Sequence, residues 1–238
     1  MIRVAAVGDV HCGADSAGKL RSHYEHLAEQ ADVFLIAGDL TRRGLPEEAT
    51  VLAGELTDVA ARMPTFAVLG NHDYHCDQQA MVAKIMDAAG VAVLEGESDT
   101  IEVDGAVVGV AGVKGFGGGF AGASGSEFGE PEMKAFVAHT REVASALEAE
   151  LGELRADVKI ALMHYSPVEA TLRGERLEIY PFLGSYLLAE AVDRVGADLV
   201  VHGHAHGGSE KGVTPGGVHV RNVALPVINH AYNVYELG

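Results

Sequence analysis

The chain has 238 residues, of which 48% are hydrophobic and 21% charged, so it can bury a substantial core, and we expect one domain over residues 1–238. Its 34 acidic residues against 17 basic ones give a formal net charge of -17, which argues against binding to nucleic acid or to an acidic membrane surface. No apolar stretch approaches the roughly 20 residues of a membrane span and no signal sequence opens the chain, so we expect a cytoplasmic protein without membrane contact.

The N-terminal part of the chain alternates apolar runs with helical patterns. The apolar runs predict strands at residues 3–7, 33–36 and 65–69, and helical spacing predicts helices at about 18–30, 45–62 and 78–89. Pro46, Glu47 and Glu48 mark the first turn of the second helix, where proline and negative charge are favourable. Strands that alternate with helices in this way are typical of a parallel sheet.

After residue 90 the pattern changes to shorter β-rich pieces between two further helices. Predicted strands lie at 91–94, 100–103, 106–113, 157–163, 198–201, 218–220 and 231–237, and predicted helices at 133–154 and 184–195. Asp104 and Gly105 form a hairpin turn signal between two of the strands. The whole pattern predicts a parallel core that antiparallel strands extend.

The segment 115–131 is rich in glycine and serine. Residues 117–122 formally satisfy the GxGxxG pattern of dinucleotide-binding loops, but no helical signal opens inside the motif. A pyrophosphate needs the amides of such a helix, so this interpretation is rejected. We expect residues 115–129 to form an exposed, mobile loop beside the functional site instead.

Metal-capable side chains follow five of the predicted strands. They are Asp9 and His11, Asp39, Asn71 and His72, His164, and His204 and His206. Residues separated by one position point to the same side of an extended chain, so Asp9 and His11 reach toward the same point, as do His204 and His206. Because ligands gather where the strands of an α/β sheet finish, we expect these residues to form one site around Asp39.

The chemistry of this residue set indicates metal binding. Without His72 it offers two carboxylates, one carboxamide and four imidazoles, more than one tetrahedral ion uses. The mixture of oxygen and nitrogen donors suits two divalent transition-metal ions of Mn, Fe, Zn or Ni. Cys12 and Cys76 are not needed as ligands, and we expect them to be reduced thiols.

In this order the residues resemble the calcineurin-like metallophosphoesterases, whose pattern is D-x-H, G-D, G-N-H-(D/E), a lone H and G-H-x-H. The matching blocks here are Asp9 to His11, Gly38-Asp39, Gly70 to Asp73, His164 and Gly203 to His206. The resemblance spans most of the chain. It implies an α/β fold, a four-layer αββα sandwich in which two β-sheets pack between helices, with a dinuclear site at the strand ends.

The resemblance also implies a role for each site residue. One metal would be held by Asp9, His11, Asp39 and His206, and the other by Asp39, Asn71, His164 and His204. Asp39 would bridge the two ions. The expected reaction is hydrolysis of a phosphoester of a small molecule, in which the ions lower the pKa of a shared water so that hydroxide attacks phosphorus. His72 would donate a proton to the leaving oxygen or stabilise phosphoryl charge.

One stretch departs from the family pattern. Many members carry G-D-x-x-D-R-G, in which the second acid orients the catalytic histidine and the arginine contacts phosphate. Here Arg43 keeps the basic position, and is the candidate substrate-binding residue, but Arg42 replaces the acid. The group that orients His72 is therefore left open. The departure favours a bacterial branch that acts on small phosphoesters, phosphodiesters and cyclic nucleotides included, over protein phosphatases.

Two other functions are compatible with the same fold. One is a catalytically weak binding scaffold, like the retromer subunit of this fold, but such a scaffold would be free to lose ligands and none is missing here. The other is a nuclease subunit, which the net charge disfavours. His202 lies on the same side of an extended chain as His204 and His206, because the three are two positions apart. We expect it to be a packing or outer-shell residue.

Overall fold

Ten of the thirteen strands agree with predicted strands to within about three residues, and the three short strands at 119–120, 123–124 and 211–213 were not predicted. A computed structural model describes all residues from Met1 to Gly238. Its strands are β1 (Ile2–Val7), β2 (Val33–Ala37), β3 (Thr65–Val68), β4 (Val91–Val93), β5 (Glu97–Val103), β6 (Ala106–Val113), β7 (Gly119–Phe120), β8 (Ala123–Ser124), β9 (Val158–Met163), β10 (Leu199–His202), β11 (Lys211–Val213), β12 (His219–Asn222) and β13 (Asn233–Leu237).

Eight α-helices connect these strands. They are α1 (Arg21–Tyr24), α2 (Leu27–Gln30), α3 (Pro46–Ala60), α4 (Gln79–Ala88), α5 (Pro131–Glu153), α6 (Tyr180–Leu183), α7 (Tyr186–Val195) and α8 (Leu225–Ile228). Both α3 and α5 begin with proline at the first turn and carry acidic residues there, as the helix dipole favours. No helix has the length and apolar character needed to cross a membrane.

The strands form two mixed sheets. The first has the order β13-β1-β2-β3-β4, in which β1 to β4 are parallel and β13 runs antiparallel to β1. The second has the order β11-β12-β10-β9-β6-β5, in which the four central strands are parallel and both edge strands are antiparallel. β7 and β8 pair as a separate short hairpin.

Alternation along β9 shows how the two sheets pack. Ile160 and Leu162 belong to the core shared with the first sheet, whereas Ala161 and Met163 belong to the core beneath α5 and α7. On the other side, α3 and α4 cover the outer face of the first sheet. The layers therefore run helix, sheet, sheet, helix, which confirms the predicted four-layer α/β sandwich.

The prediction of one continuous helix over residues 18–30 was wrong. Two single-turn helices, α1 and α2, lie on either side of Glu25 and His26. The Glu55 carboxylate of α3 accepts hydrogen bonds from the main-chain N–H groups of Gly18, Leu20 and Arg21 at 2.7–2.8 Å. This bonding comes from a residue distant in sequence, so helical spacing alone does not reveal it.

The segment 115–129 is also more ordered than its composition suggests. Gly118 and Gly119 donate main-chain hydrogen bonds to Pro181 and Gly184 at 2.8 and 2.9 Å. Phe120 is buried with Leu183 in a small apolar cluster. Residues 121–124 and 126–130 are exposed. The prediction of an exposed loop is therefore wrong for residues 115–120 and agrees with the structure for most of residues 121–129.

Candidate metal centre

The predicted site residues converge at one edge of the sandwich. Asp9, Asp39 and Asn71 follow β1, β2 and β3 of the first sheet, and His164 and His204 follow β9 and β10 of the second. Because these five strands are parallel within their sheets, their carboxyl ends lie side by side. The packing of the sheets brings the two rows of strand ends together.

One cluster of donor atoms is formed by Asp9, His11, Asp39 and His206, whose ligand atoms all lie within 4.8 Å of one another. His206 Nε2 lies 2.7 Å from Asp9 Oδ1, and His11 Nε2 lies 3.6 Å from Asp39 Oδ2. The Nε2 atoms of His11 and His206 are 3.5 Å apart. Both carboxylates are buried, His11 is half-buried and His206 is exposed, so this cluster could hold a metal ion at the surface of the sandwich.

A second cluster shares Asp39 with the first. It contains Asp39, His164 and His204, again within 4.8 Å. His164 Nε2 lies 3.4 Å from Asp39 Oδ1 and 3.0 Å from Asn71 Oδ1, which adds a carboxamide oxygen to the set. The two oxygens of Asp39 therefore face different clusters.

Four of these residues have left-handed main-chain conformations. The φ angles are 58° at Asp9, 45° at His11, 49° at Asp39 and 68° at His204. A residue other than glycine costs about 1 to 3 kcal/mol in such a conformation, and residues of this kind collect at functional sites. Main-chain hydrogen bonds of 2.9 Å from Asp9 to Gly38 and from His11 to Asp39 hold the turns.

Two glycines allow the carboxylates to approach the main chain. A Cβ atom at Gly70 would overlap the carboxylate and main-chain nitrogen of Asp39, and a Cβ atom at Gly203 would overlap the carboxylate of Asp9. Any larger residue at either position would displace a carboxylate from its cluster. The glycine that precedes Asn71 and the one that precedes His204 are thus required by space.

Main-chain carbonyl groups fix which ring nitrogen faces the second cluster. His164 Nδ1 lies 2.9 Å from the carbonyl oxygen of Ala37, and since a carbonyl only accepts, Nδ1 carries the proton and Nε2 keeps its lone pair. His204 Nε2 lies 3.2 Å from the carbonyl oxygen of Phe182, which leaves Nδ1 free. A metal ligand needs this free lone pair. Neither carbonyl partner could be identified from the sequence.

Burial and hydrogen bonding shift the pKa values of four of the donors. Burial lowers the pKa of His204 to about 3 and also lowers the pKa of His11, so both rings are neutral near pH 7. Burial alone would raise the pKa of Asp9, but the hydrogen bond from His206 and the nearby imidazoles outweigh it and lower that pKa. His206 differs from His11 and His204, because its hydrogen bond to Asp9 raises its pKa. Carboxylate, imidazole and amide donors together fit a divalent metal ion.

Asp73 stabilises the two turns that carry Asp39 and Asn71. Its buried carboxylate accepts hydrogen bonds from the main-chain N–H groups of Leu40, Thr41 and Gly70 at 2.8–3.1 Å and from the Thr41 hydroxyl at 2.6 Å. It therefore ties the turn after β2 to the turn after β3. The motif contains this residue, but its supporting role depends on contacts that only the folded chain shows.

His72 lies beside the clusters with about 45% of its side chain exposed. Its Nδ1 is 2.8 Å from the main-chain carbonyl oxygen of Arg42, and its Nε2 is 4.0 Å from Asp39 Oδ2. The main chain at Arg42 thus takes the place of the missing acid. Arg42 itself directs its side chain to Asp15, 3.0 Å away.

The remaining candidates lie outside both clusters. Arg43 is exposed, and its guanidinium makes no hydrogen bond or ion pair within the chain. His202 is buried and lies 2.7 Å from the carbonyl oxygen of Gly203 and 2.9 Å from the Thr171 hydroxyl, a packing position as predicted. Cys12 and Cys76 are free thiols.

Structures of similar fold are known. Phosphopantetheinyl hydrolase (PptH) from Mycobacterium tuberculosis has a TM-score of 0.68 and 16% identity, covering 99% of this chain and 98% of its own. The protein TT1561 of Thermus thermophilus has a TM-score of 0.58 and 19% identity, covering 93% and 88%. A putative 5'-nucleotidase from Staphylococcus aureus has a TM-score of 0.54 and 18% identity, covering 93% and 48%. At these identities the likeness establishes the fold.

No protein of curated function matches the sequence significantly. The family model described as calcineurin-like phosphoesterase matches residues 2–208, which include every residue of the two clusters. With that match and the sandwich fold, the chain belongs to the calcineurin-like phosphoesterase family and is a metal-dependent hydrolase.

Proposed function

We propose that this protein hydrolyses phosphoesters of small molecules at a centre of two divalent metal ions bridged by Asp39. The observation that carries the proposal is the position of that carboxylate. Its Oδ1 faces His164 at 3.4 Å and its Oδ2 faces His11 at 3.6 Å, so each oxygen belongs to a different donor cluster. A buried carboxylate shared in this way suits a bridge between two cations.

The seven residues form two donor sets that share Asp39. One ion would be held by Asp9, His11, Asp39 and His206, and the other by Asp39, Asn71, His164 and His204. Their oxygen and nitrogen donors, without thiolates, favour Mn, Fe, Zn or Ni. Bound together, such ions supply positive charge for a phosphoryl group and lower the pKa of water to near neutrality.

His72 is proposed to donate a proton to the leaving oxygen. Its Nδ1–H is held by the Arg42 carbonyl group at 2.8 Å, so Nε2 is the atom available for proton transfer. That atom lies 4.0 Å from Asp39 Oδ2, beside the clusters and outside both donor sets. An imidazole positioned in this way is a suitable general acid.

Arg43 is proposed to contact the substrate phosphate. It is the second of two adjacent arginines, but only the side chain of Arg42 has an acidic partner. The Arg43 guanidinium stays exposed with all its donors free. An unpaired guanidinium near a phosphoryl site can bind phosphate oxygens in bidentate fashion.

The net charge supports the proposed substrate class. A net charge of -17 disfavours long nucleic acids, whose binding needs many basic contacts, and leaves small phosphoesters. Phosphomonoesters, phosphodiesters and cyclic nucleotides therefore form the test panel.

The test begins with metal content. Purified protein saturated with Mn should contain two equivalents of metal by elemental analysis, and hydrolysis of at least one ester class should be lost with chelator and restored by Mn. A saturated protein that holds at most one equivalent contradicts the dinuclear centre. A fully loaded protein that is inert toward the whole panel contradicts the substrate class.

A further inference from the structure

A lysine stands at the same strand edge as the metal centre. Lys114 directly follows β6, as His164 directly follows β9, and the last residues of these parallel strands are paired, Val113 with Met163. The main-chain N–H of His164 donates a 3.0 Å hydrogen bond to the carbonyl oxygen of Lys114. Registered neighbours on parallel strands project to the same face, so Lys114 extends the row of strand-end side chains by one strand.

Three aromatic rings surround the Lys114 ammonium, and the Glu95 and Asp39 carboxylates are near it without forming a salt bridge. Its Nζ lies 4.9 Å from the ring centre of Tyr74, 5.1 Å from that of Phe116 and 5.3 Å from that of Tyr165. Its hydrogen bond to the Gly115 carbonyl oxygen is long, at 3.4 Å, and it makes no salt bridge. An ammonium has three donors, so most of its hydrogen-bonding capacity is unused.

A cavity of about 600 Å³ is lined by Lys114 and by Asn71, whose side chain contacts His164 of the second cluster. His139 and Val143 of α5 also line the cavity. The Tyr165 ring lies 4.3 Å from the His204 ring, centre to centre, so the aromatic wall is continuous with the donor clusters. A substrate bound at the clusters can extend along this wall.

Charge along the cavity restricts where an anion can bind. Lys114 is the only lysine or arginine among the lining residues. Both oxygens of Glu95 are already engaged, by the Leu69 N–H at 3.0 Å and the Tyr74 hydroxyl at 2.9 Å. Glu142 lies on the α5 side. An anionic group is therefore favoured at Lys114 and disfavoured beside Glu142.

We infer that Lys114 binds a second anionic group of the substrate, a carboxylate or phosphate on the part of the molecule that keeps its bonds during hydrolysis. The inference rests on the proposed function, because it places the reacting phosphoryl group at the two donor clusters. The apolar walls at Phe116 and Val143 would contact the carbon skeleton between the two anions. Lys114 would thus determine specificity without taking part in bond cleavage.

Binding of inert analogues tests this role apart from catalysis. The probes are alkyl phosphonates of increasing chain length that end in a carboxylate, each matched by the carbamoyl compound of the same length. Calorimetry on Mn-loaded wild type should show that the best carboxylate binds tighter than its amide by roughly 10- to 100-fold, the range of one hydrogen bond to a charged group. A second series ending in phosphate identifies which anion is preferred.

The variants are Lys114→Gln, Lys114→Arg and, as a control, Lys84→Gln, which changes an exposed lysine of α4. Lys114→Gln should abolish the preference for the carboxylate and leave amide binding unchanged. Lys114→Arg should retain part of the preference, and Lys84→Gln all of it. Metal content and melting temperature, measured on each variant, show whether the centre and the fold are intact.

Two results would overturn the inference. One is wild-type protein that binds carboxylate and amide equally at every length. The other is Lys114→Gln weakening both compounds equally with metals in place, which would assign Lys114 to the reacting phosphoryl group. A failure of the proposed function is distinguishable, because metal loading would then not change the binding of either phosphonate.

Discussion

His72 is held by the main chain of Arg42, whose carbonyl oxygen lies 2.8 Å from the imidazole Nδ1. A carbonyl oxygen can only accept, so Nδ1 carries a proton and Nε2 is presented toward Asp39. In the G-D-x-x-D-R-G motif, the side chain of the second acid orients the histidine, and this chain has Arg42 at that position. Here a main-chain group supplies the acceptor, so the identity of residue 42 no longer matters for the ring.

His72→Ala should reduce hydrolysis according to the leaving group. Esters of alkyl alcohols should lose roughly 100- to 10,000-fold in kcat, the usual contribution of a general acid, whereas nitrophenyl esters should lose much less. Steady-state kinetics on a matched alkyl and nitrophenyl pair measures the difference, and elemental analysis should show unchanged metal content. Full activity on the alkyl ester, or loss of metal, would remove His72 from the catalytic assignment.

The adjacent arginines should respond differently to alanine. Arg43→Ala removes an unpaired guanidinium and should raise KM for every phosphoester by roughly 10-fold, since a hydrogen bond to a charged group contributes about 1.5 to 3 kcal/mol. Arg42→Ala should leave kcat and KM near wild type, because the side chain pairs only with exposed Asp15 and the carbonyl group remains. A larger loss from Arg42→Ala than from Arg43→Ala would reverse this assignment.

Asp39→Ala should weaken both metal sites at once. The substitution removes a donor from each cluster and also the acceptor of the His72 main-chain N–H, 2.8 Å away. Metal affinity should fall by more than the roughly 10- to 100-fold typical of outer-shell changes, for every metal and substrate. The control is Asp15→Asn, which changes an exposed carboxylate outside both clusters. Retention of two metal equivalents with wild-type affinity in Asp39→Ala would refute the bridge.

Gly70→Ala should damage the centre although it adds a single methyl group. The new Cβ atom would overlap the Asp39 carboxylate, so metal affinity and activity should both fall. Gly54→Ala is the matched control, because nothing lies within 4 Å of its Cβ position in α3. That control should raise the free energy of unfolding by roughly 0.5 to 1 kcal/mol, since alanine favours helix over glycine. Equal effects of the two changes on metal binding would contradict the close approach.

The two parts of the glycine-rich segment, residues 115–120 and residues 121–129, should respond differently to mutation. Phe120→Ala should lower the free energy of unfolding by about 3 to 5 kcal/mol, because the ring is buried beside Leu172 and Leu183. Shortening the exposed residues 121–129 should instead change KM and substrate preference with little effect on melting temperature. A large drop in melting temperature from that deletion would show that its second half is also structural.

The sequence by itself determined the layout of the fold and the list of candidate site residues. Strand periodicity located β1, β2, β6 and β9 to within a residue or two, and the order of Asp, His and Asn after the strands selected the residues that converge. These features are local, because the alternation of a strand and the residue that comes after it depend only on neighbours along the chain.

Only the tertiary structure decided how those residues are oriented and supported. The Arg42 carbonyl group behind His72, the Phe182 carbonyl group behind His204 and the three hydrogen bonds from Leu40 and Thr41 to Asp73 join segments far apart in sequence. The same holds for the rings around Lys114, which come from turns after β3, β6 and β9. Contacts of this kind arise when the two sheets pack, and main-chain acceptors leave no trace in residue type, so sequence patterns could not supply them.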